Sequence, residues 1–398
     1  MNYSSKARLL LAGAALVTLS GPAFALEGND VLAKINAAMA AQGGAQLSAK
    51  SVDTSGSDVT LSGTELISGT GDNQKKIPVG KVAFEGVEEA NGGYTIETVT
   101  FDDLSVRQEQ ATITATDISL SGVTVPGNPT AGTMDAVMLY DEAKVGAVNV
   151  SVDGKTALSV GETTVSTTVS DDDSAVEFEV EVAGIKGDLN LVQDPQSKDV
   201  INQLGVNQLD GSMKMLGSWE LQPGTIDIEE YSFDFANVGR LNLAFSFSGY
   251  TLDFMKSAQA TAAAMEANPN KAEAQQASSL AMLGLLQRLT FNSAQIRFDD
   301  SGITNKALDY AGKSQGVSGE QMAQMLKGMA PLVLSQYNMP ALQNMLTAAL
   351  NTYLDKPGNI TVTAEPAQAV PFPMIMGAAM GAPNTIPDVL GVKVTAND

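Results

Sequence analysis

A chain of 398 residues with 45 acidic against 23 basic side chains has a net charge of −22, and it contains no histidine and no cysteine. That composition removes the usual proton shuttle, the thiol nucleophile and the best ligands for zinc, copper and iron, and without disulfides the core must hold by packing alone. A surface of this sign repels phosphate backbones, which excludes nucleic acid as a partner and keeps the molecule soluble.

Residues 1–25 have the pattern of an export signal. Lys6 and Arg8 open it, an apolar stretch covers 9–19, and Ala23, Phe24 and Ala25 give the small-x-small arrangement that signal peptidase cuts. The expectation is a periplasmic protein beginning at Leu26, with secretion as the second choice. No transmembrane segment is expected after that point, because no later run supplies about 20 apolar residues.

A helix follows, capped by Asn29 or Asp30, with Leu32, Ile35 and Met39 on one face and a stop at Gly43 and Gly44. From there the hydrophobic period is two. Ser-, Thr- and Val-rich runs predict strands or hairpins over 46–52, 58–67, 81–88, 94–106 and 111–125. Further strands are expected over 147–152, 163–170, 175–182, 211–221, 225–235 and 241–251, with a turn at Asn237, Val238, Gly239 and Arg240. In the run 175–182, Val176, Phe178, Val180 and Val182 alternate with Glu177, Glu179 and Glu181, the mark of a sheet with one wet and one dry face. Residues 26–252 thus read as a β-rich region with no helix beyond the first, and the missing crossover helices exclude a parallel βαβ architecture.

The period changes near Asp253. Residues 255–267 and 271–289 predict a helical hairpin broken at Asn268, Pro269 and Asn270, and the second helix carries Met282, Leu285, Leu286 and Leu289 in a stripe. A strand over 290–298 closes at a turn of Asp299, Asp300, Ser301 and Gly302. Ser318 and Gln321 form a capping box for a helix that carries Met322, Met325, Leu326 and Met329 and ends at Pro331. Another helix starts around 338–340 and carries Leu342, Met345, Leu346, Ala349 and Tyr353. A strand over 359–364, a proline-marked apolar segment over 370–383 and a last strand over 391–396 complete the chain. The expected fold class is α+β: a long antiparallel β-meander, extended or curling, covered by amphipathic helices from residues 253–398 that belong to the same sheet.

The chemistry that survives is narrow. Ser-His-Asp, Cys-His and H-E-x-x-H arrangements are impossible, no phosphate-binding G-x-x-x-x-G-K-[ST] loop occurs, and residues 69–72 are a lone glycine turn. A glycan-cleaving carboxylate pair has nominal candidates in Glu229, Glu230, Asp299 and Asp300, yet Trp219 is the one tryptophan available as a sugar platform. Hard oxygen ligands for calcium occur at Asp171, Asp172, Asp173, Asp299 and Asp300, although the first run lacks the glycine and glutamate of a helix-loop-helix site. No cofactor is expected. Met322, Met325, Leu326, Met329, Leu342, Met345, Leu346, Met374 and Met376 concentrate flexible apolar side chains in the helical region and are the candidate lining for an apolar ligand.

The run Gln295, Ile296, Arg297, Phe298, Asp299, Asp300, Ser301, Gly302 and Ile303, leading to Ala307, Tyr310, Gly316 and the capped helix at Ser318, resembles the C-terminal region of AsmA-like exported envelope proteins. The serial β-hairpins before it do so too. The resemblance covers the last third of the chain and implies an envelope or lipid-handling role with a long β-groove. The chain is shorter than those proteins and lacks their membrane anchor, and no functional residue carries over. The expected function is therefore non-enzymatic binding of a lipid or an envelope protein, with a carboxylate-dependent glycan enzyme or a calcium-steadied assembly protein as alternatives.

Overall fold

A computed structural model describes residues 26–42, 45–69, 74–130, 133–134, 138–267, 271–335 and 339–398. The export-signal residues 1–25 lie outside the described residues, as do Gly43, Gly44, most of the 69–72 turn, the 268–270 break and residue 338. The first half contains α1 (Gly28–Ala41), β1 (Gln46–Ser48), β2 (Ser51–Ser55), β3 (Asp58–Ser68), β4 (Lys75–Ala90), β5 (Gly93–Phe101), β6 (Leu104–Gln108), β7 (Ala111–Ala115) and β8 (Ser119–Val125). Then come β9 (Glu142–Val145), β10 (Val148–Val152), β11 (Lys155–Val160), β12 (Thr163–Val169), β13 (Ala175–Asp188), α2 (Pro195–Leu204), β14 (Gln208–Glu220), β15 (Thr225–Phe235) and β16 (Gly239–Ser248). The remainder is α3 (Leu252–Ala267), α4 (Lys271–Leu286), β17 (Thr290–Asp300), α5 (Ile303–Ser314), α6 (Gly319–Ser335), α7 (Pro340–Asp355), β18 (Asn359–Ala364), β19 (Val370–Pro371), α8 (Phe372–Gly381), α9 (Ile386–Val389) and β20 (Val392–Ala396).

The 20 strands of the described residues belong to one open sheet, and the paired registers are antiparallel. Directly opposed residues share a face, so the register can be followed across the molecule. One row begins with Val59, Phe84, Val99, Leu120, Ala143 and Val165. It continues through Val180, Met215, Tyr231, Leu243, Ile296, Val362 and Val394. Every member is apolar. The parallel row through Val182, Met213, Phe233, Leu241, Phe298 and Ile360 is apolar too, whereas the row between them, Glu181, Lys214, Ser232, Asn242, Arg297 and Thr361, is polar. The alternation read in residues 175–182 is therefore a property of the whole meander: one dry face, one wet face.

A line of irregularities bends this sheet. Gly63, Gly80 and Gly184 take positive φ, and the chain breaks regular pairing between β5 and β6, β7 and β8, β9 and β10, and β11 and β12. The Lys81 amide donates to the Asp102 carboxylate at 2.7 Å, Gly146 N–H to the Thr116 carbonyl at 2.8 Å and Gly161 N–H to the Gly184 carbonyl at 3.1 Å, so the backbone stays satisfied across the bend. Beyond it, Val106, Ile113, Val150 and Leu158 form another apolar row. Here the sheet also splits, because β4 pairs with β5 only from Val82 onward while β6 pairs with β7.

The main core lies at the N-terminal end of the dry face. Val31 and Ile35 of α1 are buried against Val59, Leu61, Phe84, Ile96, Val99 and Val123. The helix starts at Gly28, one or two residues before the expected cap, and Asp30 instead accepts the Tyr94 hydroxyl at 2.6 Å while Lys34 reaches the Gly92 carbonyl at 2.7 Å. Two smaller cores hold the other helices. Phe254, Leu285 and Leu289 pack with Phe247, Tyr250 and Phe372, and Leu308, Met322 and Ala323 pack with Leu354. The Gln259 side chain of α3 donates to the Gln42 carbonyl at the end of α1 at 3.1 Å, so the sheet curls far enough to bring these helices together.

The helices depart from expectation at four places. Residues 195–204, within the region read as free of helices beyond the first, form α2, capped by Asp194, opened by Pro195 and closed by Gly205 in the left-handed conformation. Residues 303–314, between the expected turn at 299–302 and the capped helix, form α5. Pro331 does not end its helix, since α6 continues to Ser335 and Gln343 Nε2 donates to the Pro331 carbonyl at 3.0 Å. The apolar segment 370–383 contains α8. The Ser318–Gln321 capping box forms as expected, with reciprocal bonds of 3.1 and 2.9 Å.

If α1 is pinned as described, Tyr94→Phe should lower stability by about 1 kcal/mol in urea unfolding. Burial first, and then the Asp30 carboxylate, push the Tyr94 hydroxyl well above its ordinary range. Its contribution is complete below the unfolded value of about 10 and fades as pH rises through the raised one, so the wild-type advantage should be flat at neutral pH and shrink above about pH 10. Leu61→Ala, at a fully buried position, should cost about 2–5 kcal/mol in the same measurement.

Candidate functional site

The dry face has covered ends and an uncovered middle. α1 seals it over β3, β4, β5 and β8, and α7 lies along β20, where Val394 is buried. Between them, Ala143, Val165, Val180, Met215, Tyr231 and Leu243 are only partly buried, Phe245 is 37% exposed and Ile296 is 50% exposed. Ile113 and Leu158 beyond the bend are exposed as well. An apolar floor that remains in contact with water across so many neighbouring strands is unusual for a protein surface.

Aromatic side chains give this floor its relief. Tyr231 and Phe233 approach with ring centroids 4.8 Å apart, and Phe245 stacks on Phe247 at 6.3 Å. Trp219 is a packed residue: its indole N–H donates to the Tyr250 carbonyl at 2.8 Å and its ring meets Tyr250 edge to face. The acids stand on the opposite face, where Lys214 binds both Glu179 at 2.5 Å and Glu181 at 2.7 Å.

The residues expected to line an apolar site do not converge. Met322 is buried between α5 and α6, whereas Met325, Leu326 and Met329, farther along the same stripe of α6, are exposed. Leu342, Met345 and Leu346 are half-buried on α7, Met376 is half-buried on α8 and Met374 is exposed there. Four cavities are lined by other side chains. One of about 700 Å³ lies against Thr95, Thr124, Tyr140 and Thr167, and another of about 300 Å³ opens on the wet face at Ser166, Glu177, Glu179 and Glu229. Two more, about 360 and 340 Å³, lie between α3 and α4 and among α5, α6 and α7. The apolar face itself is a surface, not an enclosed pocket, and its signature in sequence is spread over every strand.

The aspartates considered for calcium are used locally. Asp172 accepts the hydroxyls of Ser174 at 2.6 Å and Ser170 at 3.0 Å, which with the Ser174 amide hold its carboxyl below the ordinary range, and Asp171 and Asp173 complete the same exposed turn. Asp299 pairs with Arg297 at 2.9 Å, and Asp300 accepts Gly302 N–H at 2.8 Å and Thr304 N–H at 2.9 Å at the start of α5. Glu230 is taken by Arg240 at 2.6 Å and by Ser232. Among the described residues no group of three or more carboxylates is placed to hold a metal ion.

Comparison with known proteins finds a family model, described as an uncharacterized protein, that matches residues 232–397, from the second half of β15 to the end of β20. The chain is similar to that family over this segment. No curated protein matches it.

Asp300→Ala should cost about 1 kcal/mol through loss of the helix-start bonds, and by the same amount in calcium as in chelator. The melting temperature of the unaltered protein should likewise be unmoved by millimolar calcium; a calcium-dependent rise would assign these aspartates to an ion.

Proposed function

We propose that this protein is an exported envelope protein that binds the apolar chains of a lipid on the uncovered dry face of its sheet. The observation that carries the reading is the unbroken apolar row from Val59 to Val394, sealed by helices at its ends and open over β9 to β17. Acyl chains are long, thin and tolerant of register, and a shallow apolar floor crossing many strands offers them contact without demanding one fixed pose. Side chains named on this floor supply no acid, base or nucleophile apart from the Tyr231 phenol, which favours holding a ligand over transforming one. Of the carboxylates a glycan enzyme or a calcium site would draw on, Asp172, Asp299, Asp300 and Glu230 are engaged in a turn, a helix start and ion pairs. Export to the periplasm rests on the residue pattern of the first 25 residues, and the AsmA-like run at 295–318 points to the same compartment. No helix among the described residues is long and apolar enough to cross a membrane.

A protein partner is the second reading, favoured by the edge of β6, which has no strand on its far side among the described residues. The facing stretch of β4 is blunted by Lys75, Lys76 and Pro78, so β6 is the edge open to an added strand.

A fluorescent long-chain fatty acid should bind the purified protein, and Ile296→Glu or Phe245→Glu, each placing a charge on an already exposed floor position, should weaken it by roughly tenfold or more. Absence of binding, or binding indifferent to both substitutions, would remove the lipid reading and leave the partner one.

A further inference from the structure

The split in the sheet leaves two unpaired backbone edges that start from one junction. At that junction the Lys81 amide donates to the Asp102 carboxylate at 2.7 Å and the Asp102 amide to the Lys81 carbonyl at 3.0 Å. On one side of it, residues 75–80 of β4 pair with β3 alone; on the other, β6 pairs with β7 alone, among the described residues.

The register explains why the two edges part. Val82 stands opposite Phe101 and Ala83 opposite Thr100. Carried past the junction, the same register would set Pro78 opposite Ser105, Ile77 opposite Val106 and Lys76 opposite Arg107. Proline has no N–H to give to a ladder, and two cations directly opposed across a strand pair repel. Ile77 and Val106, which that pairing would have brought together, are 40% and 42% exposed.

The charge on these two edges has the sign opposite to that of the whole molecule. Residues 75–81 and 104–108 carry Lys75, Lys76, Lys81 and Arg107 and no acid, in a chain whose net charge is −22. Of the acids next to them, Asp102 accepts the Lys81 amide, Asp103 accepts the Asp117 amide at 3.3 Å, and Glu109 lies in the tip of the β6–β7 hairpin. Glu65 reaches Lys76 at 3.8 Å, and Lys75, Lys81 and Arg107 have no ion pair among the described residues.

We propose that the split takes an added strand from another polypeptide, an extended segment in which apolar and acidic residues alternate, paired along β6. Main-chain hydrogen bonds to β6 hold the segment, and one of its apolar side chains lies with Ile77 and Val106. The next side chain points to the opposite face, where an acid meets Lys76 and Arg107 and turns the repulsion that keeps the edges apart into two attractions. The proposal supplies the partner's chemistry for the strand-addition reading, on which it rests, and is independent of the lipid reading.

A fluorescent short peptide alternating valine with glutamate should bind the purified full-length protein about tenfold or more tightly than the same peptide with lysine for glutamate, and less tightly as salt rises. N-methylation of its backbone should abolish binding, and hydrogen exchange should show the β6 amides protected by the peptide. Lys76→Glu with Arg107→Glu should reverse the preference, weakening the glutamate peptide about tenfold and admitting the lysine one. The circular dichroism melt should not change, since both side chains are exposed. If it does, Lys76→Gln with Arg107→Gln gives the same loss for the glutamate peptide. Equal binding of the two peptides, a preference that survives the substitutions, or protection that spares β6 overturns the proposal. Equal binding that N-methylation still abolishes leaves strand addition standing without its acidic selectivity. Binding of neither peptide, with the β6 amides unprotected, removes both.

Discussion

Every strand of this sheet is held antiparallel in a register that sets apolar side chains opposite apolar ones, and the side-chain period of a strand is two. A slip of one residue in any strand would therefore turn its entire apolar set onto the wet face and bring the Glu and Lys row onto the dry one. That constraint decides where the helices sit. α1 can bury Val31 and Ile35 only because Val59, Phe84 and Val99 arrive in line beneath it, and Val394 is buried where α7 lies along the last strand in the same row.

Division of labour between the faces explains the composition. An acidic chain cannot spread its carboxylates evenly and still build a sheet this wide; those on β13 to β16 and Asp299 of β17 stand on the wet face, and others lie in turns such as 170–174 and at the starts of helices. There they are matched by Lys214, Arg240 and Arg297 or by backbone amides. Along the uncovered row from Ala143 to Ile296 the one ionisable side chain is then the Tyr231 phenol. Absence of histidine and cysteine from the sequence is consistent with a surface whose work is done by area.

Much of the fold was legible from local pattern. Strands with a strict two-residue alternation, the Ser318–Gln321 box and Pro340 at the start of α7 are each specified within a few residues, and each appears in the structure. α2 was legible in principle, for Asp194, Pro195 and Gly205 are its cap, first residue and terminator, and Val200, Ile201 and Leu204 share one side; at ten residues between long strands it passes for a connection. α5 was legible too, since Ile303, Ala307, Leu308 and Ala311 recur at helical spacing between Lys306, Asp309 and Lys313. The uncovered apolar face was not legible. Its residues lie on strands that span most of the chain and meet through registers interrupted by bulges, and no local window contains the information that Val180, Met215 and Ile296 share one row. The helical spacing put Met322, Met325 and Met329 on one stripe, but spacing alone does not say how far along the helix that stripe is covered: Met322 is buried against α5 while Met325 and Met329 are exposed.

Because each long strand pairs chiefly with those next to it in sequence, the molecule is close to one-dimensional along the meander: hairpin follows hairpin, and none has to thread between earlier ones. Adding or deleting a hairpin in the uncovered middle would lengthen or shorten the apolar row by a step of about 4.7–4.9 Å per strand, and would have to break or re-form the Gln259–Gln42 contact that ties α3 to the end of α1. The span of the apolar face is in that sense set by the number of hairpins and locked by the helices that meet across the curl.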